Sequence, residues 1–69
     1  MTPQEIGQLQ TYLRDKFNMP SIRIKPRREA DDSVEVYIGE EFIATIYRDE
    51  DEGEVSYPFT MTILEMDLP

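Results

Sequence analysis

Hydrophobic positions along this chain keep two different periods, and the change between them separates a helix from a sheet. Ile6, Leu9, Leu13 and Phe17 recur at intervals of three and four, with Gln8, Gln10, Thr11, Arg14 and Asp15 away from the centre of the stripe and Tyr12 at its edge. That spacing puts one apolar face on a helix. Thr2-Pro3-Gln4-Glu5 supplies the start: Thr2 as N-cap, Pro3 where a missing N–H costs nothing, and Glu5 completing a capping box. Asn18, which tolerates a left-handed conformation, and Pro20 prevent continuation, so the spacing predicts a helix over residues 3–17.

Beyond it the period is two. Ile22 and Ile24 alternate with Arg23 and Lys25 before Pro26, a strand over 21–26 whose outward side is basic. Residues 29–33 are polar and read as a loop. Val34, Val36 and Ile38 then alternate with Glu35 and Tyr37, and Phe42, Ala44 and Ile46 with Ile43, Thr45 and Tyr47, giving a hairpin of strands 33–38 and 42–48. Pairing Ile38 with Phe42 across a three-residue loop, Gly39-Glu40-Glu41, brings Val36 opposite Ala44 and Val34 opposite Ile46. A two-residue turn would instead place Glu41 on that apolar face.

Residues 49–54 read as the next turn, and Val55, Tyr57, Phe59, Met61 and Ile63 alternate in a last strand over 54–65, where Pro58 marks an edge or a bulge. Residues 60–66 are compatible with strand or a short terminal helix, and the β-branched Thr60, Thr62 and Ile63 favour strand. The expected fold is therefore α+β. It is one domain over residues 1–69, with the N-terminal amphipathic helix packed on one face of an antiparallel meander of about four strands, two layers in all.

A single helix covers one side of such a sheet. The other would carry Tyr37, Ile43, Thr45 and Tyr47, with the stems of Arg23 and Lys25. Apolar patches rimmed by charge mark association sites, although an antiparallel sheet also leaves a mixed face in water without any partner. These five residues, Arg23, Lys25, Tyr37, Ile43 and Tyr47, are the candidate interaction site.

Composition narrows the chemistry. The chain has 69 residues, fifteen acids against seven bases, a formal charge of -8, and no Cys, His or Trp. The usual zinc, haem and copper sites have no protein ligands to build from, and thiol or imidazole catalysis has no donor. Carboxylates, three serines, the lysines and the tyrosines remain, but the acids fall in loops or on outward strand positions, where a raised pKa is not expected. No Gly-rich loop precedes the helix, and a chain of this size has little room for a pocket of the usual ~300 Å³. No enzyme and no cofactor are expected. Neither a basic leader followed by an apolar run nor a ~20-residue apolar span is visible, so the expectation is a cytoplasmic protein with no membrane contact.

Charge is asymmetric: residues 1–28 hold six bases and two acids, residues 29–69 one base, Arg48, and thirteen acids. Asp49-Glu50-Asp51-Glu52-Gly53-Glu54 invites a calcium reading, but Gly53 stands at loop position five rather than six and Thr60 where a bidentate Glu belongs. A solvated turn that discourages edge aggregation accounts for it better. Arg23, Lys25, Arg27 and Arg28 form the basic cluster. With Tyr37 or Tyr47 beside them they suggest a nucleic-acid surface; the total charge and the absence of an RNP-like pattern argue against it. Pairing with acids of the neighbouring strand, or with the acidic turn of another subunit, is the alternative.

Three segments carry a resemblance: Thr2-Pro3-Gln4-Glu5-Ile6, the hairpin Val36-Tyr37-Ile38-Gly39-Glu40-Glu41-Phe42-Ile43, and the turn Tyr47-Arg48-Asp49-Glu50-Asp51-Glu52-Gly53-Glu54. In these the chain resembles a small acidic alphaproteobacterial family of unknown function, over its whole length. The resemblance implies a small cytoplasmic bacterial protein and carries no catalytic position. The sequence thus reads as a non-enzymatic module that binds itself or another protein. The alternatives are a nucleic-acid binder using residues 23–28, and an acidic nucleic-acid mimic.

Overall fold

The computed structural model describes residues 1–27 and 30–69, and the side chains of all of these except 30 and 31. Arg28 of the basic cluster and Glu29 of the expected loop lie outside the described residues. Helix α1 spans Pro3–Lys16 and opens with the complete capping box: Glu5 N–H donates to Thr2 Oγ1 at 3.1 Å and Thr2 N–H to Glu5 Oε1 at 2.9 Å. It closes on Asn18 at φ 50, with Met19 N–H returning to the Arg14 carbonyl at 2.9 Å and Asn18 N–H to that of Asp15 at 3.3 Å. Both bonds satisfy carbonyls that a helix end would otherwise orphan.

Strands β1 (Ile22–Arg27), β2 (Ala30–Ile38), β3 (Glu41–Tyr47) and β6 (Phe59–Thr60) form one antiparallel sheet in that order, and β4 (Asp49–Asp51) pairs with β5 (Glu54–Ser56) in a separate ribbon inserted between β3 and β6. The helix packs chiefly on β1. Leu13 from the helix meets Ile22, Ile24, Val34, Val36, Ala44 and Ile46 from the sheet in the core, with Ile6 and Leu9 packed against it. Phe17 is an exception to the expected stripe. As the C-cap it sits past the last helical residue, 54% exposed, and touches Phe59 with ring centroids 6.3 Å apart.

Gln10 and Arg14, which the helical period places away from the apolar stripe, seal the sheet's first edge. Ile24 N–H donates to Gln10 Oε1 at 3.0 Å and Arg14 Nε donates to the Ile22 carbonyl at 2.8 Å. Pro26, next along the same edge, has no donor to expose. An edge so closed offers little template for strand addition.

Three expectations are corrected. Residues 30–33, read as loop, belong to β2; the β1 ladder slips between Pro26 and Arg27, and the polar side chains there hide a strand whose Ser33 is buried and pairs with Tyr47. In the hairpin, Val36 does face Ala44 and Val34 faces Ile46, but Ile38 pairs with Glu41 and Tyr37 with Phe42. The loop is therefore Gly39-Glu40, and Ile43 is an extra residue, a β-bulge. Gly39 at φ 59 supplies the left-handed first position that a tight two-residue turn needs. Third, the last strand is broken: residues 54–56 pair back onto 49–51, only Phe59 and Thr60 join the sheet, and Glu65–Asp67 is a short 3₁₀ turn. Pro58 lies just outside this edge strand, with its carbonyl accepting from Tyr47 N–H at 3.1 Å.

Candidate interaction surface

The outer face of the sheet is built by the β1–β2 register, which sets Arg23 opposite Tyr37 and Lys25 opposite Glu35. Opposite charges facing each other across a ladder would be expected to pair. Lys25 instead holds its ammonium 4.5 Å above the centroid of the Tyr37 ring, where the negative face of the π-system attracts it. The Glu35 carboxylate is engaged by the Tyr37 hydroxyl, which donates to Oε1 at 3.1 Å. That bond, and partial desolvation, raise the Tyr37 pKa above its ordinary value, so the phenol stays protonated. Phe42 meets the same ring nearly edge-on, at 5.7 Å and 65°. Arg23 donates through Nη2 to the Gly39 carbonyl at 2.7 Å.

Of the five candidate residues, the structure brings three together: Arg23, Lys25 and Tyr37. Tyr47 shares their face but lies over β3, in a hollow of about 430 Å³ that Phe42, Thr45 and Thr60 line with Thr62 and Leu64. Ile43 also lines that hollow, and it reaches the core as well. The bulge leaves it packed against the core, bordering an apolar gap with Ile22, Ile38 and Met61. Phe42 joins Tyr37 as an aromatic neighbour and Glu35 is the polar link; alternation set Glu35 beside Tyr37 but missed Phe42. The signal was Gly39-Glu40, a two-residue turn compatible with the Val36–Ala44 register only if β3 carries an additional residue.

A second constellation lies on the helix side. Glu5, already holding the helix start, accepts from Tyr57 Oη at 2.7 Å and from Arg48 Nε at 3.0 Å on Oε2, while Arg48 Nη1 reaches Glu50 at 3.1 Å. The Thr2 backbone bond, then Tyr57 and then Arg48 hold the Glu5 carboxyl at about 2, against an ordinary 4.5. The same contact raises Tyr57, and the Glu50 and Glu5 carboxylates raise Arg48. Glu5 and Tyr57 border an open cleft of about 500 Å³ between α1 and the β6 edge, lined also by Leu9, Tyr12, Leu13, Ile46 and Phe59. The cleft is larger than the chain's size leads one to expect. Glu5 is far too acidic, and Tyr57 too weak an acid, for proton transfer near neutrality, where catalytic groups are tuned toward the working pH.

The acidic segment is a ribbon rather than a simple turn. Only Glu52 and Gly53, at φ 52 and 79, form its loop, and every residue from Asp49 to Ser56 is exposed. Its register puts Asp51 directly opposite Glu54, a like-charge pair that weakens a ladder. Among the described residues no three acidic side chains are grouped as metal ligands, and no helix is long and apolar enough to cross a membrane.

Fold and surface together define a small α+β protein: one capped helix on an open four-stranded antiparallel sheet, with an exposed basic and aromatic row behind it. The chain belongs to the family described as protein of unknown function DUF3126, which matches residues 5–67. No curated protein and no solved structure matches it.

Proposed function

We propose that this chain is a non-enzymatic protein-interaction module whose contact surface is the outer face of the sheet, with Tyr37 at its centre. The observation that carries the reading is the arrangement of Lys25, Tyr37 and Phe42, flanked by Arg23, on the face opposite the helix. Aromatic and Arg side chains are the commonest anchors of protein interfaces, and here the rings are already held by their neighbours, so little rotamer freedom is lost on docking. Nucleic acid fits less well, because Lys25 occupies the ring face on which a base would stack. The setting that accompanies this reading is the cytoplasm of an alphaproteobacterium, which rests on the resemblance alone.

A photo-crosslinking residue placed at Thr45, on this face, should give protein adducts in cells, and one at Gln8, on the helix, should not. Adducts at Gln8 with none at Thr45 would refute the reading. Adducts of nucleic acid at Thr45 would replace it with the alternative.

A further inference from the structure

We infer that the occupant of this face is a second copy of the same chain, which lays its β4–β5 ribbon across the row of Arg23, Lys25 and Tyr37. The inference rests on the reading of that face as the contact surface and adds the partner.

Charge complementarity is the argument. Among the described residues both ion pairs belong to Arg48. Arg23 spends its guanidinium on the Gly39 carbonyl and Lys25 its ammonium on a ring, although Glu35 stands directly across from it. On the ribbon, Glu50 pairs with Arg48, and among the described residues no base pairs with Asp49, Asp51, Glu52 or Glu54. Among the described residues, Arg23 and Lys25 on the face and Asp49, Asp51, Glu52 and Glu54 on the ribbon thus make no ion pair.

Topology keeps the two groups apart within one chain. The ribbon leaves the sheet at the end of β3, and β3 is separated from β1 by β2, about 10 Å across the sheet at the usual strand spacing. The ribbon also leaves from the Ser33 end of the ladder, whereas Arg23 sits near the Gly39 end. Arg27, which donates to Ser33 Oγ at 3.2 Å, lies at the ribbon end, and Arg23 lies at the end away from the chain's own ribbon. Two copies related by a twofold axis can exchange ribbons, and each complementary contact is then made twice. A cationic side chain set against Asp51 and Glu54 would also relieve the repulsion their register imposes. The total charge of -8 on each copy opposes approach, but at physiological salt charges more than about 8 Å apart are largely screened, while contact pairs are screened less.

Two charge-reversed variants test this: a face variant, Arg23→Glu with Lys25→Glu, and a ribbon variant, Asp51→Lys with Glu54→Lys. Light scattering from low to high micromolar protein should show the native chain dimerising. Each variant alone should dimerise about tenfold or more weakly, because like charges then meet in both contacts. An equimolar mixture of the two should recover a dimer, since the reversed positions 23 and 25 of one variant then meet the reversed positions 51 and 54 of the other. Circular dichroism establishes that both fold; if either does not, Arg23→Gln with Lys25→Gln and Glu54→Gln weaken the same contacts without reversing them. A native chain that stays monomeric, or a dimer that neither variant weakens, or a mixture that recovers nothing, overturns the inference. Adducts at Thr45 to a different protein, together with any of those results, would remove the second copy and leave the contact face. The absence of any adduct at Thr45 would remove the face itself.

Discussion

Residues 1–47 and residues 48–69 are held in place by different physics. Every described residue that is fully buried lies in the first region, and in the second Arg48, Tyr57, Val55 and Phe59 are half-buried at most. The first region is stabilised by removing Ile, Val and Leu side chains from water. The second is tied on by polar contacts that converge on a few groups of the first: Arg48 and Tyr57 on the Glu5 carboxylate, Arg48 N–H on the Asp32 carbonyl at 2.7 Å, and Tyr47 N–H on the Pro58 carbonyl. A chain too short to build two cores has placed one core and one hook, and the hook is the same Glu5 that begins the helix.

The largest effect should come from the core. Ile46 is 1% exposed and belongs both to the core cluster and to the pairing with Phe59; Ile46→Ala should cost about 2–5 kcal/mol, read as a fall in the urea midpoint. Were the loss confined to the amides of Tyr57, Phe59 and Thr60, the two regions would not share a foundation as described.

Next comes the hook. Because the folded Glu5 carboxyl sits at about 2 against an ordinary 4.5, its contribution is fully present above pH 4.5 and is lost as the pH falls toward 2. The protection of the Tyr57, Phe59 and Thr60 amides, measured against their intrinsic exchange rate at each pH, should fall across that window before that of the core amides. Glu5→Gln should abolish the pH dependence of that protection while leaving those amides several-fold faster at pH 7. An unaltered acid response in the variant would show that other carboxylates control the attachment.

The smallest effect belongs to the ribbon. Neutralising one member of the facing pair Asp51 and Glu54 removes a like-charge contact, so Glu54→Gln should add roughly 0.5 kcal/mol to ribbon stability in the monomer, visible as slower exchange at Glu50 and Val55 with no change in the core. Faster exchange would mean that Glu54 has a cationic neighbour even in the isolated chain.

What could be read from the residues follows the strength of the local signal. The capping box, the left-handed Asn18 and the apolar pairs Val34–Ile46 and Val36–Ala44 are all carried by residue type and spacing, and the structure contains each of them. Strict alternation failed at Ile43, because a bulge adds a residue without changing the apparent period. That single residue brings Phe42 against Tyr37 on the outer face. Alternation also failed from Val55 to Ile63, where apolar positions continue in register although the strand stops at Tyr57 and Pro58. Of the candidate site, the pair Lys25 and Tyr37 was legible as neighbours on one face; that Lys25 would choose the ring over Glu35 was not.

By itself the sequence determined the elements with strong local codes: a helix started by Thr2 and Glu5, a sheet with one apolar side, and a separation of basic from acidic segments. Only the tertiary structure decided which long-range partners complete them. Gln10 and Arg14 close the edge of β1, and Glu5 serves both the helix start and the hook on Arg48 and Tyr57. Residues forty or more positions apart meet there because a buried or half-buried polar group must find a partner somewhere, and that partner is fixed by the packing of helix on sheet rather than by its neighbours in the chain.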